Sequence, residues 1–133
     1  IQEQAIISTG KHLSDSGCPQ VYTLIHDSHH TVKNYISESI KAGMFNLGWL
    51  PGGDKSITTL RETTLPAIED ALSLLSPDGI VCVAVYPGHA EGDAEGKLIR
   101  DYLATLPRWH ICATELKILN SPASPYFFII EKK

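Results

Sequence analysis

The stretch MFNLGWLPGGDK at residues 44–55 holds the densest grouping of chemically useful side chains in the chain. Asn46 offers an amide oxygen that can accept a hydrogen from an amine, and Trp49 offers a ring face on which a base can stack. The same two residues could equally close a strand end and pack beneath a loop. Pro51, Gly52, Gly53, Asp54, Lys55 and Ser56 follow. Glycine-rich backbone just ahead of a helix can cradle an anion, with Lys55 adding charge. The spacing is not that of a P-loop, and an RNA phosphate is a reasonable guest. A plain tight turn with a solvated Lys55 is the alternative. YPGH at 86–89 closes the most apolar run, and His89 there could touch a substrate or remove a proton near neutrality.

HDSHH at 26–30 looks like a metal cluster at first sight. Successive side chains on a strand end point to opposite sides, so three of them do not converge readily on one ion, and no metal is expected. Asp27 or Ser28 could instead cap the following helix. Ser56, Thr58 and Thr59 lack a nucleophile-elbow context, so serine hydrolase chemistry has no support. His12 and His110 have no partners in sequence and read as structural. Glu91, Asp93 and Glu95 read as partners of a helix dipole rather than an acid/base pair.

These residues need elements to position them. Ala5, Ile6, Thr9 and Leu13 share one face of a helix over 2–14, ended by Gly17 and Pro19. Val21–Ile25 reads as a short strand. Val32, Tyr35, Ile36 and Ile40 have helical spacing, and a second strand follows at Gly43–Leu47. Thr59 and Glu62 fit a capping box for a helix with Leu65, Ile68, Leu72 and Leu75 on its buried stripe, although Pro66 implies a kink or a later start. Residues 76–79 read as a turn. The continuous apolar run Ile80–Tyr86 is expected of a strand covered on both faces. Leu98, Ile99, Tyr102, Leu103 and Leu106 mark another amphipathic helix, and Trp109–Ile118 and Tyr126–Glu131 two final strands. Alternation of strands and helices implies an α/β fold with a mostly parallel sheet. The six-residue link at 120–125 is too short for a helical crossover, so the last strand should form an antiparallel hairpin.

Composition narrows the function classes. The chain has 133 residues, 43% of them hydrophobic and 20% charged, which suits one globular domain. A formal net charge of −4 gives no global signal for nucleic acid, so RNA binding would need a local patch. No apolar run is long enough to span a bilayer, and the cytoplasm is the default location. Three widely spaced cysteines, Cys18, Cys82 and Cys112, do not form a disulfide or zinc framework.

With these elements in place, the chain resembles the rRNA-methylase-like family of S-adenosylmethionine-dependent methyltransferases. The blocks that carry the resemblance are residues 44–55, the helix from Thr58 and Thr59 to Ala71 and Leu72, VYPGH at 85–89, and the terminal FFIIEK at 127–132. The family's activities include methylation of the amine of 5-aminomethyl-2-thiouridine at the tRNA wobble position. The resemblance implies a Rossmann-like sheet, S-adenosylmethionine as cofactor and RNA as substrate, with the tRNA anticodon region favoured and rRNA as the alternative. It implies that Gln2, Asp27, Ser28, His29, Asn46 and Leu47 border the cofactor. Asn46, Trp49 and His89 would carry the chemistry. Gly48, Pro51, Gly52, Gly53, Asp54, Lys55 and Tyr86 would bind substrate. The family's first strand, glycine turn and second strand are not in this sequence. The chain is therefore expected to be the C-terminal part of a longer protein and, by itself, to bind the cofactor poorly. A smaller five-stranded sheet, with the strand at 21–25 pairing directly with 43–47, is the other arrangement. A non-catalytic RNA-binding module and, further off, a metal-dependent hydrolase remain alternatives. Oligomeric state is not readable, and a homodimer stays open.

Overall fold

The computed structural model describes residues 1–50, 52–54 and 56–133. Helix α1 spans Glu3–Asp15, and a 3-10 turn spans His29–Asn34. Strand β1 (Ile40–Asn46), helix α2 (Arg61–Leu74), strand β2 (Leu75–Val85), helix α3 (Ala90–Thr105), strand β3 (Ile111–Leu116) and strand β4 (Tyr126–Lys132) complete the order. The four strands form one sheet in the order β1-β2-β4-β3. β1 and β2 run parallel, joined by α2 as crossover. β4 is antiparallel to both β2 and β3, so the expected C-terminal hairpin forms.

α2 and α3 cover one face of this sheet. Val81, Val83 and Val85 alternate onto that face and are completely buried, as period-2 geometry requires. Ile68 from α2, Ile99 from α3 and Ile130 from β4 meet them, also completely buried. Each such side chain contributes about 2 kcal/mol relative to exposure. On the opposite face Ile80 and Phe127 stay exposed and Cys82 is half-buried. The β2 run is thus covered mainly on one face rather than both. α1 carries no buried residue.

Several elements differ from expectation. Residues 21–25 form no strand, and Val21 is 86% exposed. A strand exists only as part of a ladder, and no described strand pairs with this segment. The five-stranded arrangement therefore does not form. The helical spacing at 32–40 gives a 3-10 turn, with Ile40 instead opening β1 opposite Leu75. The turn at 76–79 is absorbed into β2 as a bulge, where the register jumps from Ile40↔Leu75 to Ala42↔Ile80. Asp78 there has φ of 57°, a left-handed conformation that Asp tolerates better than most residues. The capping box does not form. α2 starts at Arg61 after Leu60, with no side-chain cap from within its own segment. Glu91 of α3 accepts the Arg61 amide at 3.2 Å in its place. Pro66 lies inside α2. Among the described residues no helix is long and apolar enough to cross a membrane.

α3 is tied to β3 by a two-pronged ion pair. Arg100 Nε and Nη2 donate to Glu115 Oε2 and Oε1 at 3.1 and 2.5 Å, and Lys117 Nζ lies 2.9 Å from Glu115 Oε1. Arg100 holds the Glu115 carboxyl down from its ordinary 4.5 to about 2. A depressed carboxyl pKa adds stability above the ordinary value that is lost as pH falls toward the folded one. Glu115→Gln is therefore expected to lower stability at pH 7 by about 1 kcal/mol after solvent screening. The difference should shrink between pH 4.5 and about 2, as read by urea unfolding at pH 7 and pH 3. An equal loss at both values would mean that the charge is not responsible.

Candidate functional site

Because β1 and β2 are parallel neighbours, their carboxyl ends open on the same edge of the sheet. Asn46 closes β1, and Tyr86 follows the last residue of β2. The Tyr86 hydroxyl donates to Asn46 Oδ1 at 3.1 Å, which fixes the orientation of the amide. One lone pair of Oδ1 remains for a second donor. Leu47 is 3% exposed and its amide donates to Ala84 O at 3.1 Å, so the backbone beside Asn46 stays locked to the sheet. Gly48 then turns the chain at φ of 102°, a conformation that a side chain would strain, and lies against the Tyr86 ring.

Trp49 and Thr58 form an isolated antiparallel bridge, and the Thr59 amide donates to Gly48 O at 3.1 Å. Residues 49–58 are thus a loop closed at its neck. The Trp49 ring lies 4.7 Å from the His89 ring, tilted by 45°. His89 is the N-cap of α3, and its Nδ1 accepts the Gly92 amide at 3.1 Å. That bond leaves the hydrogen on Nε2, which is buried with no partner among the described residues. His89 is therefore built as a donor. Its expected part, substrate contact or proton removal, thus falls on a ring with one nitrogen engaged by the Gly92 amide and the other buried. Asn46, Leu47, Gly48, Trp49 and Tyr86 together line a small pocket of about 140 Å³.

A second cavity, of about 290 Å³, adjoins the first through Gly48 and is lined by Gln2, Asp27, Ser28, His29, Thr58, Thr59 and Thr63 among others. Four of the residues expected to border the cofactor thus come together. Asp27 is held by its own surroundings: Tyr35 donates to Oδ2 at 2.5 Å and the Ser28 amide to Oδ1 at 2.7 Å. These bonds, Tyr35 first, lower its pKa. Neither Asp27 nor Ser28 caps the 3-10 turn through its side chain. Burial lowers the pKa of the His29 imidazole; its Nε2 lies 3.3 Å from Thr63 Oγ1, and its ring meets Phe45 edge-on. Thr58 Oγ1 is buried without a partner among the described residues. Leaving such a hydroxyl unsatisfied costs about 1–3 kcal/mol, which a guest with one polar group in this largely apolar cavity would recover.

The glycines of the expected anion cradle lie elsewhere. Gly52 and Gly53 face Gln2, Gln4, Ser8 and Thr9 at the start of α1, not the N-terminus of α2. α2 begins only at Arg61, and its first amide is taken by Glu91. Asp54 makes a local turn, accepting the Ser56 amide at 2.8 Å, which lowers its pKa. Pro51 and Lys55, with the phosphate contact expected of the latter, fall outside the described residues. No group of three or more described His, Cys, Asp or Glu residues could hold a metal ion, the 26–30 segment included.

Sequence reasoning missed Glu95. Its sequence context reads as that of a helix-dipole partner, yet it is 2% exposed. Thr64 Oγ1 donates to its Oε1 at 2.5 Å and Thr59 Oγ1 to its Oε2 at 3.0 Å. Burial raises its pKa against the pull of those two hydroxyls. Asp93 and Glu91 do serve helix starts, accepting from the Gly88 and Arg61 amides respectively.

The family model described as "Putative rRNA methylase" matches residues 1–132. The chain is 34% identical to the chloroplastic tRNA (mnm(5)s(2)U34)-methyltransferase of Arabidopsis thaliana, with all of the chain and 50% of that relative covered. It thus spans half the length of this curated relative. A "putative rRNA-methylase" from Clostridium thermocellum matches with a TM-score of 0.95 at 36% identity, covering 100% of the chain and 72% of that structure. A "putative methyltransferase" from Streptococcus mutans, solved in complex with SAH, matches with a TM-score of 0.90 at 35% identity, covering 100% and 73%. By family match, identity and fold together, the chain belongs to the rRNA methylase family and has its α/β methyltransferase fold.

Proposed function

We propose that this chain forms the substrate side of an S-adenosylmethionine-dependent RNA methyltransferase acting on an amine of a modified tRNA wobble uridine. The observation that carries the reading is the Asn46 amide, oriented by Tyr86 at a parallel strand's carboxyl end, next to the paired rings of Trp49 and His89. The name of the Arabidopsis relative supports the wobble-uridine substrate, and the SAH complex of the Streptococcus mutans structure supports the cofactor. The orphaned Thr58 hydroxyl and the mixed wall around it, with Ile1, Ile57 and Leu60 beside the polar side chains, fit such a cofactor. Gln2, Asp27, Ser28, His29, Thr58 and Thr63 would border it, with Leu47 and Gly48 between it and the substrate. When bound, the cofactor supplies an electrophilic methyl group on a sulfonium.

The protein's part is placement. Methyl transfer to an amine is an in-line displacement, so aligning the lone pair is most of the catalysis. Asn46 Oδ1 accepts an N–H of the neutral amine, which turns the lone pair away from the amide. Trp49 stacks on the base, and the His89 ring braces Trp49 from behind. The proton on the methylated amine leaves to solvent.

The test is methyl labelling with the full-length enzyme and radiolabelled S-adenosylmethionine. Label is expected in tRNA whose wobble uridine bears an aminomethyl group and not in tRNA lacking that group. Label in rRNA alone would overturn the substrate assignment. No heat of cofactor binding in calorimetry would overturn the enzyme reading in favour of a non-catalytic RNA-binding module.

A further inference from the structure

Glu95 is a buried acid that the proposed reaction does not use. It projects from α3, is 2% exposed, and is met by two hydroxyls rather than a cation. Burying an acid without an opposite charge is costly unless its oxygens are bonded. Both hydroxyls come from one segment, Thr59 just before α2 and Thr64 in its first turns.

The Thr59 hydroxyl has a single hydrogen. It spends that hydrogen on Glu95 Oε2 at 3.0 Å, so the Gly48 amide, 2.8 Å away, must donate to its oxygen. The result is a directed chain, Gly48 N–H to Thr59 O–H to Glu95 carboxyl. The Thr59 amide returns a bond to Gly48 O at 3.1 Å. Gly48 sits two residues from Asn46 and borders both cavities of the site.

We propose that Glu95 is a positioning residue for methyl transfer. Through the Thr59 hydroxyl it fixes the Gly48 amide and the neck of the 48–59 loop, and so sets where Trp49 stands relative to the Asn46 amide. The role in turnover rests on the proposed function, whereas the structural linkage does not.

Glu95→Ala, Glu95→Gln and Thr59→Val in the full-length enzyme test it. In Glu95→Ala and Thr59→Val, the Gly48 and Trp49 amides should exchange with deuterium ~10-fold faster while β2 and β4 amides keep their rates. Turnover should fall ~10- to 100-fold, with KM for tRNA within about threefold, because the defect is in alignment rather than affinity. Glu95→Gln, which keeps an acceptor for one hydroxyl and the volume, should recover most of both losses. Thr59→Val conserves volume, so it decides the matter if Glu95→Ala does not fold. Unchanged exchange at Gly48 in Thr59→Val, or faster exchange in step across all strands, would overturn the positioning role. Absence of turnover in the wild-type enzyme would overturn the proposed function, and the exchange rates would still decide the linkage.

Discussion

Asn46→Ala should lower methyl transfer by ~10²–10³-fold while leaving cofactor affinity within about threefold, because it removes the group that orients the amine and little else. Asn46 is exposed, at the end of β1, and is not a member of the hydrophobic core cluster. Stability should therefore change little, and a large loss of turnover cannot be blamed on misfolding. The Tyr86 hydroxyl that aims the amide gives a graded companion. Tyr86→Phe keeps the ring that packs on Gly48 and removes only the bond to Oδ1, so about a tenfold loss is expected, the scale of one neutral hydrogen bond. Single-turnover rates with saturating tRNA separate the chemical step from binding, and calorimetry reports the cofactor. Unchanged turnover in Asn46→Ala would remove Asn46 from the mechanism. A large loss of cofactor affinity would move it from the substrate to the cofactor side of Gly48.

What could be read from the sequence follows the range of the interactions involved. The strand at Tyr126–Lys132, its antiparallel pairing and the helices over Ile68 and Ile99 rest on local periodicity and on a link too short for a crossover. Asn46 and Tyr86 stand out in the sequence because they sit at strand ends, with Trp49 in the loop that follows, where an open α/β sheet exposes special residues. Glu95 was not legible, since its burial depends on Thr59 and Thr64, 36 and 31 residues away. The same bond explains the failed capping box. Thr59 and Glu62 have the right spacing, but a buried carboxyl claims the Thr59 hydroxyl, and Glu91 reaches across from α3 to take the amide. Residues 21–25 have strand-like composition, yet a ladder partner decides whether composition becomes a strand. The 76–79 turn became a bulge because β2 continues its pairing with β1 on both sides of it.

Gly92→Ala should destabilise the protein and impair the site together, against the ordinary expectation for a helix. Alanine in a helix is favoured over glycine by about 1 kcal/mol. Gly92, however, is the third residue of α3 and donates its amide to the capping ring of His89. A Cβ built there would lie 2.3 Å from the Tyr86 carbonyl oxygen and 2.7 Å from His89 Nε2. The first of these is backbone at the end of β2 and cannot swing away like a side-chain tip. Relief requires α3 to move off the sheet, or Tyr86 and His89 to shift, and overpacking of this kind costs about 1–3 kcal/mol or more. We expect the clash to win by about 2 kcal/mol, lowering Tm by roughly 5–10 °C. Turnover should fall further than the loss of folded protein explains, because Tyr86 aims Asn46 and His89 packs on Trp49. Thermal unfolding and turnover at 25 °C, well below the transition, separate the two effects. A rise in Tm would show that helix propensity outweighs packing here, and that the edge of the sheet carrying Asn46 and Tyr86 is not braced by α3.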